Sequence, residues 1–384
     1  MRKTPHSKSF LFTLIGAFGA AALSAQTPAP PPTPAPAAAA PAPSPSLEWK
    51  SEDGKSKFKI GVLGQAQLES IDDSIGGDAQ QNLFLRRVRV LFNYSLGDKL
   101  NVFVETDNPN IGKGDGAGGK AEVDMFIQDF AATWNFSNEF KLDGGMLLTA
   151  QSYNHNQSAA ALMALDYGAA SFAENAAMKG KVGRDYGLQA RGYLANDKFE
   201  YRLAVLQGVR GRRPSATADF QENAFRFFGR AMYWFAGTQK GLFYRGTSLG
   251  KIKSMAVAAS FDTQEDYQNL GADFYWDQPL AGGNGFTLQV DYNDMDGDGF
   301  VALAKQKNTM IEAGFYHAAT KLLPYLHYAQ QNLDTGADIT WTEIGIGRYF
   351  RGHNSNLKFA FTRIERDGSR DRDQLRLQWQ VFAF

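Results

Sequence analysis

Residues 286–293 read Phe-Thr-Leu-Gln-Val-Asp-Tyr-Asn, so apolar and polar side chains alternate at every position. Successive side chains of a β-strand point to opposite faces, and this alternation therefore predicts a strand with one apolar and one polar face. The same pattern occurs in residues 100–107 and 198–205. A soluble sandwich buries the apolar face, whereas a membrane barrel turns it toward lipid, so the pattern by itself is compatible with both.

Alternation of this kind recurs from Phe58 to the last residue of the chain. The alternating segments are rich in aromatic and β-branched residues and end at Gly, Asn, Asp or Ser, as strands do. They predict sixteen strands, an even number, at residues 58–69, 83–96, 99–108, 123–137, 139–149, 184–195, 198–209, 223–236, 251–262, 266–278, 284–294, 307–318, 320–332, 339–350, 355–367 and 373–384.

The lengths of the connections decide between the two kinds of fold. With the N-terminus in the periplasm, the odd connections are extracellular and mostly long, whereas the even ones are periplasmic and mostly tight. Two run against this rule, a long even turn at 237–250 and a short odd loop at 263–265. Long loops alternating with short turns are typical of outer-membrane barrels, and sixteen strands enclose an aqueous channel. The sequence therefore predicts an all-β, 16-stranded antiparallel transmembrane β-barrel. A long constriction loop is expected at residues 150–183 after strand 5, and a solvated external loop is the alternative.

The composition excludes several other classes of protein. The 384 residues contain no cysteine, which rules out a disulfide scaffold, a thiolate metal site and a cysteine nucleophile. No apolar run approaches the roughly twenty residues of a membrane-spanning helix. Proline cannot donate to a strand ladder, and only four of the 14 prolines follow Ser46. Of these, Pro324 alone falls inside a predicted strand, and we expect it near the periplasmic rim.

The N-terminal region reads as an export signal followed by a tether. Arg2, Lys3 and Lys8 precede an apolar run and then small residues, which is the order found in secretory signal peptides. We predict a signal peptide at residues 1–25, with cleavage after Ser24 or Ala25, and Sec-type export to the bacterial outer membrane. Residues 26–57 form a Pro/Ala-rich linker and lead-in, which we expect to be extended. The barrel domain is predicted at residues 58–384.

Three short motifs resemble a known family, the phosphate-selective porins O and P. Residues 84–90 read Phe-Leu-Arg-Arg-Val-Arg-Val and look like that family's Phe-Arg-Arg-Ala-Arg strand. Residues 128–136 are similar to its Arg-Asp-Ala-Tyr strand, and residues 183–187 to its Gly-Arg-Asp-x-Gly motif. The resemblance covers roughly residues 58–384 and implies a trimeric, anion-selective channel. Two features depart from the family: Gln128 stands where the motif has arginine, and residues 150–175 are rich in alanine.

The polar faces of the predicted strands supply the candidate pore lining. They carry eleven bases and twelve acids, so the count alone favours neither ion sign. Residues 179–230, however, hold eleven bases against five acids, and guanidinium groups offer planar forks that suit phosphate and carboxylate oxygens. Arg210, Arg212 and Arg213 fall in a loop and are expected to face water and lipopolysaccharide. The predicted pore-lining and anion-binding residues are Arg87, Arg89, Arg191, Arg202, Arg226 and Arg230.

The sequence thus predicts an outer-membrane porin for passive diffusion of small anions such as phosphate. The expected partners are outer-membrane lipid and lipopolysaccharide, small anionic solutes and two further copies of the chain in a homotrimer; no nucleic acid, cofactor, metal or catalytic residue is predicted. Two alternatives stay open. The balanced inward charge also suits a general porin or one that prefers neutral or cationic solutes. An outer-membrane hydrolase is the other, with His155 and Ser158 as its candidate pair.

Two smaller features complete the pattern. Residues 294–299 begin like an EF-hand calcium loop, but the twelfth position is Lys305 where that loop needs a bidentate Glu. At the C-terminus, Trp379 and Val381 continue the apolar face of the last strand, whereas Phe382 and Phe384 fall on the opposite face. This change of phase predicts a β-bulge near Val381.

Overall fold

The computed structural model describes residues 47–76, 78–212 and 215–384. The predicted signal peptide and most of the linker lie outside the described residues, as does Arg213. Seventeen strands account for most of this region: β1 (Leu47–Lys50), β2 (Ser56–Asp72), β3 (Ala79–Leu96), β4 (Leu100–Asp107), β5 (Phe126–Asn135), β6 (Lys141–Leu148), β7 (Arg184–Leu194), β8 (Phe199–Leu206), β9 (Arg226–Ala236), β10 (Ser254–Gln264), β11 (Tyr267–Pro279), β12 (Gly285–Asp296), β13 (Gln306–Tyr316), β14 (Leu322–Leu333), β15 (Ile339–Tyr349), β16 (Ser355–Arg366) and β17 (Arg372–Ala383).

Strands β2 to β17 form a closed antiparallel barrel of sixteen strands. Each pairs with the next in the chain, and β17 closes the circle on β2, from Gln374 opposite Ile71 to Ala383 opposite Val62. Closure leaves the ladder without an open edge, so its backbone donors and acceptors are paired. The prediction of a 16-stranded barrel is confirmed. Among the described residues no helix is long and apolar enough to cross a membrane.

The short strand β1 is an addition that the alternation did not predict. It lies in the stretch assigned to the lead-in and pairs with β2, Leu47 opposite Ile60 and Lys50 opposite Lys57. Since β17 stops pairing with β2 at Val62, β1 takes over the same side of β2 just beyond the C-terminus. Gly61 lies at this junction, and a Cβ there would be 2.5 Å from the Ala383 carbonyl oxygen.

The connections separate the barrel into two ends. The loop end carries the connections at 73–78, 108–125, 149–183, 207–225, 265–266, 297–305, 334–338 and 367–371. The turn end carries both chain ends of the barrel and the connections at 97–99, 136–140, 195–198, 237–253, 280–284, 317–321 and 350–354. Both exceptions to the length rule are confirmed, the long turn after β9 and the short loop after β10.

Register shifts occur at three places in the wall, and none lies at the C-terminus. They fall between β2 and β3, between β4 and β5, and between β9 and β10. Strand β17 pairs with β2 without a shift from Gln374 to Ala383, so the predicted bulge near Val381 is wrong. Instead Phe382 packs inside the barrel against Leu63, Leu91 and Phe103, because an apolar cluster replaces the polar lining there. Pro324 is the third residue of β14, close to the turn end as predicted.

The two faces of the wall differ in polarity. Outward side chains such as Leu188 (58% exposed) and Ile344 (62%) are apolar and open to the surroundings. Inward side chains of the same wall, such as Gln289 (0%) and Asp291 (3%), are polar and buried. This arrangement is the reverse of a soluble sandwich and matches a barrel with an apolar belt and a polar interior.

Candidate functional site

The predicted inward arginines all lie inside the barrel. Arg87, Arg89, Arg191, Arg202, Arg226 and Arg230 are at most 6% exposed. The twelve predicted inward acids are also buried; they are Glu69, Glu105, Asp107, Asp129, Asp143, Glu200, Asp262, Asp273, Asp277, Asp291, Glu312 and Glu343. The alternation therefore assigned the inward face correctly, although it could not tell which of these charges neutralise each other.

Four of the six arginines form ion pairs along the wall from β6 to β11. Arg191 Nε lies 2.6 Å from Asp143 Oδ2, and Arg202 Nε lies 3.0 Å from Glu200 Oε1. Arg230 binds Asp273 with both Nη atoms, at 2.6 and 2.8 Å. Arg226 binds Asp262 through two nitrogens and lies 3.3 Å from Asp185. A buried charge is costly unless it is paired, so these contacts explain how the arginines are tolerated inside the barrel.

Arg87 and Arg89 border a cavity of about 510 Å³ within the barrel, whereas the other four predicted arginines do not. Five guanidinium groups and three carboxylates lie on its wall, together with the rings of Tyr167, Phe172, Trp341 and His327. The guanidinium groups belong to Arg86, Arg87, Arg89, Arg184 and Arg376, and the carboxylates to Asp107, Asp166 and Glu343. Arg86, Arg184 and Arg376 were not among the predicted site residues.

A β-bulge explains why Arg86 joins this cavity. Gln65 of β2 pairs with Arg87, but the next residue, Ala66, pairs with Leu85, so Arg86 is an extra residue in β3. A bulge re-aims the side chain that it inserts, which strict alternation would have sent outward. Arg86 Nε and Arg87 Nη2 consequently bind the same carboxylate, Asp166, at 2.9 and 2.5 Å.

A second β-bulge, between β4 and β5, likewise turns an additional polar side chain toward the interior. Glu105 of β4 pairs with Asp129, but Thr106 pairs with Ile127, which makes Gln128 the extra residue of β5. Gln128 is fully buried, and its Oε1 accepts from Arg89 at 3.2 Å. The sequence signal was present, because Gln128 and Asp129 are adjacent polar residues inside an apolar-polar alternation.

The bulged strands support a network of paired charges beside the cavity. Arg89 donates to Glu105 at 2.5 Å and to Asp107 at 2.8 Å. Arg184, the first residue of β7, holds Asp129 through two parallel hydrogen bonds of 3.0 Å. Bidentate pairs of this kind fix both side chains in place.

Every carboxylate oxygen of the cavity wall accepts a hydrogen bond, whereas two of the guanidinium groups have an Nε without a partner. Each oxygen of Asp107, Asp166 and Glu343 accepts at least one hydrogen bond. Arg376 donates from Nη2 to Glu343, and its Nε has no partner; the Nε of Arg89 also has none. Both Nε atoms are buried, so these are unpaired donors within the wall, and leaving them unpaired is costly.

The connection at 149–183 lies against inward side chains of the wall. On one side Gln151 donates to Asp262 of β10 at 2.6 Å, and Asp291 of β12 accepts from the Asn154 amide at 3.0 Å. On the other side Lys358 of β16 donates to the Leu162 carbonyl at 2.7 Å, and Gln380 of β17 donates to that of Ala160 at 2.8 Å. The segment is thus bonded to both sides of the interior, although the sequence left open whether it folds inward.

Two carboxyl groups in this connection have shifted pKa values of opposite sign. Burial raises the pKa of Asp166, but Arg86 and Arg87 lower it by more, so this pKa lies well below its usual value. Burial raises the pKa of Glu174 to about 7, and Arg226 opposes the rise only in part. Neither carboxylate oxygen of Glu174 has a hydrogen-bond partner. The loop therefore contains one carboxyl group that stays ionised and one that titrates near neutral pH.

The remaining sequence candidates do not form sites. Neither ring nitrogen of His155 has a hydrogen-bond partner, so no hydrogen bond joins it to Ser158, and its ring packs against Phe172. Asp296 of the calcium-like segment is paired with Lys305 at 3.3 Å. Within residues 47–76, 78–212 and 215–384, no group of three or more His, Cys, Asp or Glu side chains could hold a metal ion.

Comparisons with solved structures place the fold among outer-membrane channels. The DcaP channel of Acinetobacter baumannii superimposes with a TM-score of 0.55 at 12% identity, covering 87% of this chain and 99% of that one. An anion-selective porin from Comamonas acidovorans gives 0.56 at 12% identity, over 85% and 99% of the two chains. OmpF of Salmonella typhi gives 0.56 at 12% identity, over 87% and 100%. At this identity the likeness shows the fold alone.

No protein-family model and no curated protein matches the sequence. The resemblance to the phosphate-selective porins O and P therefore stays a prediction, while the porin fold itself is shared with the structures above.

Proposed function

We propose that this protein is an outer-membrane porin that lets small anions, phosphate among them, diffuse passively across the membrane. The observation that carries the proposal is the cavity beside β3, where five arginines face three carboxylates whose oxygens are all engaged. Guanidinium groups held by neighbouring acids keep their geometry, and a passing anion can exchange one set of donors for the next. The anion-selective porin from Comamonas acidovorans has the same fold, which supports this choice.

The connection at 149–183 is the proposed constriction. It carries Asp166, which holds the guanidinium groups of Arg86 and Arg87 beside the cavity. A long inward connection in a barrel of this size reduces the cross-section available to solutes. We propose that the aperture lies between this segment and the wall formed by β2–β4 and β14–β17.

A porin for neutral or cationic solutes is the second candidate. The observation that favours it is the pairing of every predicted site arginine with an acid, which leaves little net charge along the interior. The hydrolase alternative has no comparable support, because His155 is not bonded to Ser158.

Uptake into proteoliposomes separates the candidates. The purified protein is reconstituted, and the entry of phosphate is compared with that of a neutral sugar and an organic cation of similar size. An anion porin admits phosphate fastest, and excess sulfate or another small anion slows the entry. Equal rates for the three solutes would support the general porin, and entry of none would remove the porin function altogether.

The proposed assembly is a homotrimer in the outer membrane, surrounded by lipid and lipopolysaccharide. It rests on the family resemblance in the sequence and on the apolar outward face of the wall. Chemical cross-linking in native outer-membrane vesicles tests it: bands for two and three copies and none larger are expected, whereas a single-copy band alone would contradict it.

A further inference from the structure

The connection at 237–253 is the exception among the turn-end connections, and it does not lie outside the barrel. Tyr244, Thr247 and Leu249 are each at most 4% exposed. Short turns suffice to join antiparallel strands, so a long and buried turn needs another explanation. We refer to residues 237–253 as the inner turn and to residues 149–183 as the inner loop. The two connections start from opposite ends of the barrel.

The inner turn and the inner loop are joined by backbone hydrogen bonds. The Tyr244 amide donates to the Asn156 carbonyl at 2.9 Å, and the Ser158 amide donates to the Tyr244 carbonyl at 3.0 Å. The Gly246 amide donates to the Ala161 carbonyl at 3.0 Å. A Cβ on Gly246 would lie 2.7 Å from that carbonyl oxygen, so glycine is needed for this close approach.

Side chains of the wall hold the inner turn at several points. Arg202 of β8 donates to the carbonyls of Leu242 at 3.1 Å and Gly241 at 3.2 Å. Asp277 of β11 accepts from the Ser248 amide at 2.6 Å. Arg202 is one of the predicted pore-lining residues, and its guanidinium group is engaged with the inner turn rather than with the cavity described above.

Aromatic stacking adds to this attachment. The ring of Tyr153 in the inner loop lies between those of Tyr244 and Tyr275, with centroid distances of 4.9 and 3.9 Å. The Tyr244 hydroxyl donates to Glu200 of β8 at 2.7 Å. Tyr244 therefore links the inner loop to β8, and Tyr153 of the inner loop itself stacks on Tyr275 of β11.

Two apolar clusters also connect the inner turn to its surroundings. Leu249 of the inner turn packs with Met163 and Leu165 of the inner loop, against Leu323 and Tyr325 of β14. A second cluster joins Leu242 and Phe243 to inward residues of β2, β3 and β4, namely Leu63, Leu91 and Phe103. Polar linings hold water, whereas a dry apolar layer across a lumen opposes the passage of ions.

Inward polar side chains near the turn end are buried as well. Gln65, Gln380, Asn356 and Lys358 are each at most 2% exposed. In a water-filled lumen such side chains would be open to solvent. Here Lys358, Gln380 and Gln65 donate to carbonyl groups of the inner loop instead.

We propose that the inner turn and the inner loop together form a two-part plug in the turn-end half of the lumen. Solutes pass when the contact between the two segments opens, and that contact, rather than the loop alone, sets the conductance of the channel. This proposal rests on the proposed channel function and adds a gate to it.

Shortening the inner turn tests the plug. In one variant residues 240–250 are replaced by Gly-Gly; in a matched control residues 111–121, in a connection at the loop end, are replaced in the same way. We expect the first variant to show a single-channel conductance several-fold above that of the wild type, and the control to remain close to the wild type. An unchanged conductance in a correctly folded first variant would overturn the proposal.

A reversible cross-link provides a second measurement that does not depend on a deletion. Gln157 and Tyr244 are register partners between the two segments, and the chain has no cysteine of its own. In the variant Gln157→Cys, Tyr244→Cys, oxidation is expected to lower conductance and reduction to restore it. Equal conductance in both states would contradict the gate.

The two proposals fail in different ways. If the wild type conducts well, and neither the shortened turn nor the cross-link changes its conductance, the proposed gate is contradicted and the proposed channel function is supported. If no variant conducts, including the shortened turn, the channel function itself is wrong.

Discussion

The arginines of this barrel divide into two groups that sequence cannot distinguish. All six predicted arginines are buried in ion pairs, but only Arg87 and Arg89 also border the cavity. Both groups have the same residue type on the same alternating face. What separates them is the position of their carboxylate partners, which depends on the fold of the whole chain.

Neutralising one arginine from each group tests this division. Arg87→Gln removes a charge from the cavity and should shift the ratio of chloride to potassium permeability toward potassium about fivefold, the effect of about 1 kcal/mol. Arg191→Gln removes an equally buried charge away from the cavity and should change the ratio less. Reversal potentials in a potassium chloride gradient give both values. Equal shifts would contradict a special role for the cavity.

The pKa of Glu174 predicts a pH response of the loop. Its value of about 7 lies above the usual 4.5, which means that the packed loop holds the proton more tightly than the displaced loop does. The packing is therefore fully stable below about pH 4.5 and loses up to about 3 kcal/mol as the pH rises through 7. In the packed loop the charge of Arg226 lowers the pKa of Glu174 and that of Asp262 raises it, both by less than burial does.

Conductance at pH 5 and pH 8 measures this response. The wild type should conduct more at pH 8, and Glu174→Gln, which carries no charge at either pH, should show a smaller difference. A rise of the same size in both proteins would assign the pH response to another group.

Among the structural elements, the strands can be predicted from the local alternation of apolar and polar residues, whereas the segments inside the barrel cannot. All sixteen barrel strands were predicted to within a few residues, because a wall with an apolar outside imposes alternation on every one of them. The bulges at Arg86 and Gln128 break that alternation, which is why Arg86 was missed. The strand β1 was also missed, since four residues are too few to show a period.

The inward position of the long connections could not be predicted from the local sequence, for a different reason. The sequence marked the turn after β9 as too long for its end of the barrel, but its inward position depends on partners far away in the chain, such as Asn156 and Asp277. The same holds for Phe382, whose change of phase in the sequence predicts a bulge. It packs instead against apolar residues of β2, β3 and β4.

The seam where β17 meets β2 gives a prediction about stability. A Cβ at position 61 would collide with the Ala383 carbonyl oxygen and the Phe384 ring, whereas one at Gly64 on the same strand would meet nothing within 4 Å. Gly61→Ala should therefore destabilise the barrel by about 1–3 kcal/mol, the usual cost of overpacking. Gly64→Ala is the matched control and should have little effect.

The temperature at which the folded band disappears in a gel-shift assay provides the comparison. A lower temperature for Gly61→Ala alone is expected. If the two variants melt together, the closure of the barrel does not depend on this contact.

In the whole molecule, the width of the channel depends both on the closed barrel and on the segments that lie inside it. Sixteen strands make a cylinder wide enough for water, and the inner loop and inner turn both bind inward side chains of its wall. The space that remains beside β3 is bordered by arginines, so the large barrel would act as a narrow and selective channel rather than an open one.

Anion conduction by the barrel can be measured as the reversal potential of the wild-type protein in a planar bilayer with a potassium chloride gradient. Discrete channels and a potential with the sign of chloride selectivity are expected. A potential with the sign of potassium selectivity, or a folded protein that forms no channels, would contradict anion conduction.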